Sequence, residues 1–244
     1  MARAVIFHTS DLHNRLRPAA ARRLAELKRA QSDSFLFDSG DAVAAGNLTF
    51  RPTGEPILRL MGEIGYDAMT MGNRESHPKA GALSQKLKDA TFPILSANLV
   101  PIRARPAVPP PVRPHIIFER PGLRLAVFGL TPQMTRPGSI WAKVTDYVFE
   151  DPLDAARRVS AELRPQADLV ICLSHCGLGT DRTLAEIETI DLVLGGHTHR
   201  ELIEQQPGRA LIVHPGAYGH HVSRTEIASR DDVRSELIPL EAEP

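Results

Sequence analysis

Five short apolar segments of this chain are each followed directly by side chains that bind metal ions well. The first segment, Ala4–Thr9, is apolar and partly β-branched, which predicts a buried strand, and it leads into Asp11-Leu12-His13. Side chains two positions apart at the end of a strand lie on the same side, so Asp11 and His13 can converge on one point. A carboxylate and an imidazole placed in this way indicate half of a metal site.

Four more predicted strands end in the same manner. Their ends read Gly40-Asp41, Gly72-Asn73, His175 and Gly196-His197-Thr198-His199. Ligands of open α/β sheets bind beyond the carboxyl ends of the strands, so these ends should meet in one crevice. Seven ligands are too many for one tetrahedral ion and suit two ions that share a carboxylate. The seven predicted metal ligands are Asp11, His13, Asp41, Asn73, His175, His197 and His199.

Each of these ends is weak evidence by itself, because Gly-Asp is a common turn and a single loop histidine is usually solvated. Five of them in succession favour a metal centre, and the glycines before Asp41, Asn73 and His197 allow the backbone to approach closely. Imidazole suits Zn, Fe or Ni, while carboxylate and amide oxygens suit harder ions such as Mn. Cys176 offers a further ligand, but a small buried thiol is the favoured interpretation for it.

The order of the predicted elements indicates an α/β fold. Strands and helices alternate through the first half, which favours parallel pairing, and the C-terminal strands are close enough in sequence to pair antiparallel. We therefore expect one domain over residues 1–244, with two mixed sheets packed face to face and helices outside. Six prolines within residues 101–114 exclude a regular helix or central strand and predict a stiff surface connection. The predicted helices cover residues 18–30, 55–65, 78–89, 152–163 and 183–188.

Charge and hydropathy argue against two classes of partner. Lys plus Arg and Asp plus Glu both number 29, so the net charge of zero gives no footprint for nucleic acid or an anionic membrane. No apolar run approaches the roughly 20 residues of a membrane span, and no hydrophobic signal region precedes the first strand. Cys172 and Cys176 are too close to form an extracellular disulfide framework. We therefore expect a cytoplasmic protein.

Taken in order, the five strand ends resemble the motifs of calcineurin-like metallophosphoesterases. Residues 8–13 (His-Thr-Ser-Asp-Leu-His), 96–99 (Ser-Ala-Asn-Leu) and 214–219 (His-Pro-Gly-Ala-Tyr-Gly) resemble the 5′-nucleotidase and UDP-sugar hydrolase branch of that superfamily. The resemblance extends from residue 8 to about residue 227. It implies a four-layer α/β/β/α sandwich of two mixed sheets around a two-metal site.

The resemblance also implies the roles of the ligands. Asp11, His13 and His199 would hold one divalent ion. Asn73, His175 and His197 would hold the other, and Asp41 would bridge the two. The two ions, drawn from Mn, Fe, Zn and Ni, would share a hydroxide that attacks phosphorus in line. The implied activity is hydrolysis of a phosphoester or pyrophosphate bond in a phosphorylated small molecule, such as a nucleotide or sugar nucleotide.

Further roles are expected beyond metal binding. Asp38, three residues before the bridging carboxylate, should support that ligand or form its turn. The candidate catalytic residues are Asp41, Asn73, Arg74 and His197. The candidate substrate-binding residues are Arg74, His77 and Asn98.

Arg74 departs from the family pattern, because it occupies the position where the family has a histidine that protonates the leaving oxygen. A guanidinium stays protonated across the working pH range, so Arg74 cannot do this, although it can clamp a phosphoryl group with two hydrogen bonds. Good leaving groups should then react best. His77 can replace the missing acid if it reaches the same space, and a solvated histidine is the alternative.

A second departure is the absence of the C-terminal domain with which extracellular 5′-nucleotidases grip the base, which predicts a single catalytic domain here. Trp141 and Tyr218 are candidates to stack on a base, with core or rim packing as the alternative. A different class of function also fits Arg74: a metal-bound, weakly catalytic module that binds nucleotide or phosphate for regulation. A purely structural metal site fits less well, because such sites are closed and usually rich in cysteine.

Overall fold

The computed structural model describes residues 3–102 and 111–240. In chain order its strands are β1 (Ala4–Thr9), β2 (Phe35–Asp38), β3 (Ala68–Thr70), β4 (Ile94–Leu95), β5 (Leu99–Pro101), β6 (Val112–Arg113), β7 (His115–Arg120), β8 (Leu123–Leu130), β9 (Tyr147–Phe149), β10 (Leu169–Ser174), β11 (Leu192–Gly195), β12 (Glu201–Glu204), β13 (Leu211–Pro215), β14 (His221–Ser229) and β15 (Asp232–Pro239). Its helices are α1 (Pro18–Ala30), α2 (Pro56–Ile64), α3 (Ala80–Leu87), α4 (Pro152–Leu163) and α5 (Leu178–Leu184), with 3₁₀ turns at Ile140–Lys143 and Arg164–Gln166.

The strands form two large mixed sheets, as the sequence predicts. The first sheet has the order β15-β14-β1-β2-β3-β4-β6, in which β1 to β4 and β6 run parallel and β14 and β15 pair antiparallel. The second has the order β12-β13-β11-β10-β8-β7, with a parallel centre from β13 to β8 and an antiparallel strand at each edge. A small antiparallel pair joins β5 to β9.

Three hydrophobic clusters fill the spaces between the layers. In β2, Phe35 and Phe37 pack into the cluster between the two sheets, while Leu36 faces the opposite way into a cluster with α1, α2 and α3. A third cluster joins the outer face of the second sheet to α4 and α5, for example Phe128 to Val159. The layers therefore follow the order helices, sheet, sheet, helices.

Local sequence signals explain where several helices begin and end. Proline occupies the first helical position of α1, α2 and α4, where its missing N–H is not needed. The Asp151 side chain accepts hydrogen bonds from Leu153 N and Asp154 N at the start of α4. Gly65 ends α2 with a φ of 98°, a conformation that favours glycine. No helix in the described ranges is long and apolar enough to cross a bilayer.

Some elements differ from the sequence-based expectation. The helix expected at residues 183–188 is wrong in position, because α5 starts directly after Gly177 and ends at Leu184. The proline-rich stretch contributes the end of β5 and the edge strand β6, and its residues 103–110 lie outside the described residues. Trp141 is 68% exposed on a 3₁₀ turn, so it belongs to neither the core nor a packed rim.

Candidate dinuclear metal centre

The loops that carry the predicted ligands are tied to one another at the carboxyl ends of the parallel strands. Within the first sheet, Asp11 N donates to Gly40 O at 2.9 Å and His13 N donates to Asp41 O at 3.0 Å. Between the sheets, the backbone N of His197 donates to Asp11 Oδ2 at 2.9 Å. The site is therefore built across both sheets.

One ligand group consists of Asp11, His13 and His199, whose ligand atoms lie within 4.8 Å of one another. His199 Nε2 is 3.2 Å from Asp11 Oδ1 and 3.1 Å from His13 Nε2. His13 Nε2 lies 3.7 Å from Asp11 Oδ1. These are the three residues predicted to hold the first ion.

The other ligand group consists of Asp41, His175 and His197, with ligand atoms again within 4.8 Å of one another. His175 Nε2 is 3.4 Å from Asp41 Oδ1 and 3.9 Å from Asp11 Oδ1. Asp11 Oδ1 therefore lies between the two groups. The two groups adjoin, as a site for two neighbouring ions requires.

Three predicted ligand atoms are buried without a hydrogen-bond partner: Asp11 Oδ1, Asn73 Oδ1 and His175 Nε2. A buried polar atom left unpaired costs about 1–3 kcal/mol, so three together indicate that something else satisfies them. In two of these side chains the other polar atom is already hydrogen-bonded. Asp11 Oδ2 accepts from His197 N, and His175 Nδ1 bonds Ser39 O at 2.5 Å. A histidine that donates through Nδ1 can offer Nε2 to a metal. This donor set fits divalent ions.

Burial and neighbouring carboxylates set the protonation of the imidazoles. Burial lowers the pKa of His13 to about 4. Burial and the neighbouring His175 lower the pKa of His197. Burial also opposes the charge on His175, but the nearby Asp41 carboxylate outweighs it and raises the pKa of His175 to about 9. Without bound ions, the His175 imidazole is therefore protonated on both nitrogens and positively charged at neutral pH.

The backbone of the ligand loops is strained. Seven non-glycine residues of the described ranges have positive φ, namely Asp11, His13, Asn14, Asp41, His197, His199 and Tyr218. Five of these are predicted metal ligands. This left-handed conformation costs a non-glycine residue on the order of 1 kcal/mol and concentrates at functional sites. The fold therefore includes this energetic cost at residues whose side chains converge on one point.

Two of the glycines in the motifs are needed for close approach. A Cβ added at Gly72 would overlap the Asp41 backbone and carboxylate, and one added at Gly196 would overlap Ser10 Oγ. The glycines before Asn73 and His197 thus have the role that the sequence predicts.

Two buried charged residues that sequence reasoning missed hold the ligand loops in place. Glu75 Oε2 accepts from Asp41 N at 2.8 Å and Gly72 N at 2.9 Å, and Oε1 accepts from Val43 N at 3.0 Å. Burial and the nearby Asp41 raise the pKa of Glu75. One carboxylate therefore joins the Asp41 loop to the Asn73 loop.

Lys86 is the second missed residue. It is fully buried on α3, and its Nζ donates to Arg74 O and Gly46 O at 2.8 Å and to Ser76 O at 3.0 Å. Burial lowers its pKa to about 8. Its place three residues after the buried Leu83, on the apolar face of the helix, is a signal that could have identified it.

Further polar contacts support the ligands. Asp38 accepts hydrogen bonds from Gly40 N at 2.8 Å and Thr9 Oγ1 at 2.7 Å, which agrees with a turn-forming role. Ser39, whose carbonyl holds His175, is fixed by His8 Nε2 at 2.7 Å.

Arg74 lies at the mouth of the centre. Its Nε is 3.7 Å from Asp41 Oδ2, its Nη1 donates to Ala44 O at 2.9 Å, and 38% of the side chain is exposed. It lines a cleft of about 560 Å³. The other lining residues of this metal cleft are His13, Asn14, Arg15, Asp41, Ala44, Asn73, His197, His199 and Tyr218.

The structure does not bring two predicted substrate-binding residues to this cleft. Asn98 is buried, its Nδ2 donates to Thr131 O and Glu150 O, and its Oδ1 accepts from Thr131 N. The prediction that Asn98 contacts the substrate is therefore wrong, because its side-chain amide joins two loops instead. His77 also lies outside the cleft lining, and its Nδ1 accepts from Lys79 N at 3.0 Å. Cys176 is a free thiol outside both ligand groups.

The amino-acid sequence is similar to those of known phosphoesterases. A family model described as "Calcineurin-like phosphoesterase" matches residues 4–201. The chain is 30% identical to the trifunctional nucleotide phosphoesterase protein YfkN of Bacillus subtilis, over 91% of this chain and 18% of that protein. It is 28% identical to 5′-nucleotidase of Bos taurus, over 83% of this chain and 39% of that protein. It therefore spans less than half the length of either relative.

Solved structures share the fold. The 5′-nucleotidase precursor of Thermus thermophilus superimposes with a TM-score of 0.79 at 23% identity, covering 97% of this chain and 54% of that one. The NAD nucleotidase of Haemophilus influenzae gives a TM-score of 0.79 at 20% identity, covering 97% and 55%.

Proposed function

This chain belongs to the calcineurin-like phosphoesterase family, and we propose that it hydrolyses a phosphoester or pyrophosphate bond of a nucleotide with two divalent ions bound in the metal cleft. The observation that carries the proposal is the pair of adjoining ligand groups with buried, unpartnered ligand atoms. The names of the relatives, a nucleotide phosphoesterase and a 5′-nucleotidase, support nucleotides as substrates.

In this proposal Asp11, His13 and His199 would hold one ion. The other ion would be held by Asp41, Asn73, His175 and His197. Two neighbouring ions supply Lewis acidity, activate water and neutralise phosphoryl oxygens. The mixed nitrogen and oxygen donors suit Mn, Fe, Zn or Ni, and we propose manganese as the first ion to test.

Arg74 has the role of a phosphoryl clamp. A guanidinium has five donors, of which the Nη1 group already bonds Ala44 O, so further donors remain for phosphoryl oxygens. It supplies positive charge where the transition state gains negative charge. Because it does not release a proton, substrates with good leaving groups should react fastest.

Turnover of an aryl phosphate tests the activity. The purified protein with Mn²⁺ should hydrolyse it, and Asp41→Asn and His175→Ala should each lower kcat by at least about 100-fold, since a ligand is lost from the ion pair. Glu63→Gln, on the exposed face of α2, is the matched control and should leave kcat unchanged. Equal kcat in all four proteins would contradict the proposal.

The leaving-group dependence tests the role of Arg74. Arg74→His restores an acid that can protonate a poor leaving group, so it should raise kcat/KM for an alkyl phosphomonoester more than for an aryl ester. An equal change for both ester types would show that the missing acid does not limit the reaction.

A second candidate function follows from the same arginine. A centre that keeps phosphoryl-binding charge but lacks a proton donor can act as a metal-bound, weakly catalytic module that binds nucleotide or phosphate. Binding of AMP in the presence of Mn²⁺ without turnover of aryl or alkyl esters would favour this function over hydrolysis.

A further inference from the structure

Besides the predicted ligands, the loop that carries Tyr218 forms one wall of the metal cleft. Tyr218 N donates to Asp11 O at 2.9 Å, and its φ of 63° fixes an unusual backbone turn. The Tyr218 ring centroid lies 5.5 Å from that of His13 and 5.4 Å from that of His199. The ring therefore borders the first ligand group and is held there by the backbone of a ligand residue.

Arg15 stacks on the Tyr218 ring and lines the same cleft. Its guanidinium carbon lies 4.6 Å from the centroid of the Tyr218 ring, a cation–π distance. Its backbone is fixed as well, because Arg15 N donates to Leu12 O and the preceding Asn14 N donates to Ala42 O, both at 2.7 Å. The side chain is exposed yet has a defined position beside the metal centre.

The charge of Arg15 is not balanced by a carboxylate. In the described part of the chain no Asp or Glu lies within ion-pair distance of it. Most surface arginines here are paired, as Arg158 is with Glu150 at 2.7 Å and Arg182 with Glu204 at 2.8 Å. A stacked guanidinium keeps its N–H edge free, and that edge matches phosphate oxygens.

A groove continues from the metal cleft past Arg15. A neighbouring cleft of about 520 Å³ shares Asn14, Arg15 and Tyr218 with the metal cleft and is also lined by His220. No carboxylate lies among the described residues that line this second cleft. The groove therefore offers an anion a positively charged place directly beside the metal centre.

We propose that Arg15, oriented by Tyr218, binds a second phosphoryl group of the substrate, next to the one that reacts at the metal centre. The preferred substrates are then nucleoside di- or triphosphates and not monophosphates. This inference rests on the proposed phosphoesterase function and specifies its substrate class. Only binding is assigned to Arg15, so no bond is made or broken there.

Steady-state kinetics with ADP and AMP tests the subsite. In the Mn²⁺-loaded protein, Arg15→Ala should raise the ratio of KM for ADP to KM for AMP by at least about tenfold, because one charge-assisted phosphate contact is lost. Arg22→Ala, which removes an exposed arginine of α1, is the matched control and should leave the ratio unchanged. An unchanged ratio in Arg15→Ala, or an equal rise of KM for both nucleotides, would overturn the proposal.

A binding measurement separates this proposal from the proposed function. Calorimetry with an ADP analogue that has a methylene bridge between its phosphorus atoms should show weaker binding to Arg15→Ala than to the unmodified protein, with AMP as the reference ligand. If neither nucleotide is hydrolysed but this difference remains, phosphoesterase activity is refuted and the subsite stands. If AMP is hydrolysed and the analogue binds both proteins equally, the subsite is refuted and the activity stands.

Discussion

Replacing Lys86 with methionine should loosen the loop that carries Asn73 and Arg74. The buried ammonium donates to the carbonyls of Arg74, Ser76 and Gly46. Hydrogen bonds to a charged group contribute about 1.5–3 kcal/mol each. The lowering of the Lys86 pKa to about 8 corresponds to an opposing cost of about 3 kcal/mol. The three bonds together, less this cost, leave about 1.5–6 kcal/mol, so we expect Lys86→Met to reduce the free energy of unfolding by an amount in that range.

Urea unfolding of the metal-free protein measures this loss. Lys88→Met, directly after the same helix, is the matched control, because Lys88 is exposed and its Nζ donates to Pro52 O at 2.9 Å. We expect the control to change the free energy of unfolding by less than about 0.5 kcal/mol. The two variants should differ in kinetics as well, since Lys86→Met displaces Arg74 and should raise KM for an aryl phosphate. Equal stability and equal KM for both variants would refute the role assigned to Lys86.

Three further predictions concern the centre itself. Glu75→Gln places an amide N–H₂ against backbone N–H donors, so the free energy of unfolding should fall by about 2 kcal/mol and Mn²⁺ should bind more weakly; urea unfolding and Mn²⁺ titration measure both. His175 has its pKa raised to about 9, so its stabilising contribution is complete below pH 6.5 and is lost as the pH rises through about 9. Thermal unfolding of the metal-free protein at pH 6 and pH 10 should show that loss, on the order of a few kcal/mol, and His175→Gln should abolish it. Gly196→Ala should weaken Mn²⁺ binding at least about tenfold, because the new methyl group overlaps Ser10 Oγ, whereas Gly81→Ala in α3 meets open space and should stabilise the protein by about 0.5–1 kcal/mol.

The sequence predicts the parts of this fold that depend on local patterns. Helix α1 has the predicted bounds because a proline opens it and its apolar residues recur at helical spacing. The ligand groups are predicted because the seven ligands follow five strand ends, which parallel pairing and sheet packing bring together. Strand β6 is not predicted, since two residues carry no periodic signal.

The missed features depend on contacts between distant parts of the chain. The three acceptors of Lys86 lie 10, 12 and 40 residues away, and sequence spacing does not reveal them. Asn98 was expected at the substrate, but its side chain bonds backbone 33 and 52 residues away. A short polar side chain after a strand fits a ligand and a loop brace equally well, and only the fold distinguishes the two.

The pairing of β1 with β14 has a consequence for how the protein is made. Strand β1, which leads into Asp11, is flanked on one side by a strand from the end of the chain, at residues 221–229. Asp11 and the His197 backbone that bonds it are 186 residues apart. During synthesis this edge of β1 therefore has no partner strand until residues 221–229 have been made. The full set of ligands, which comes from both sheets, is present only after residue 199 has been synthesised.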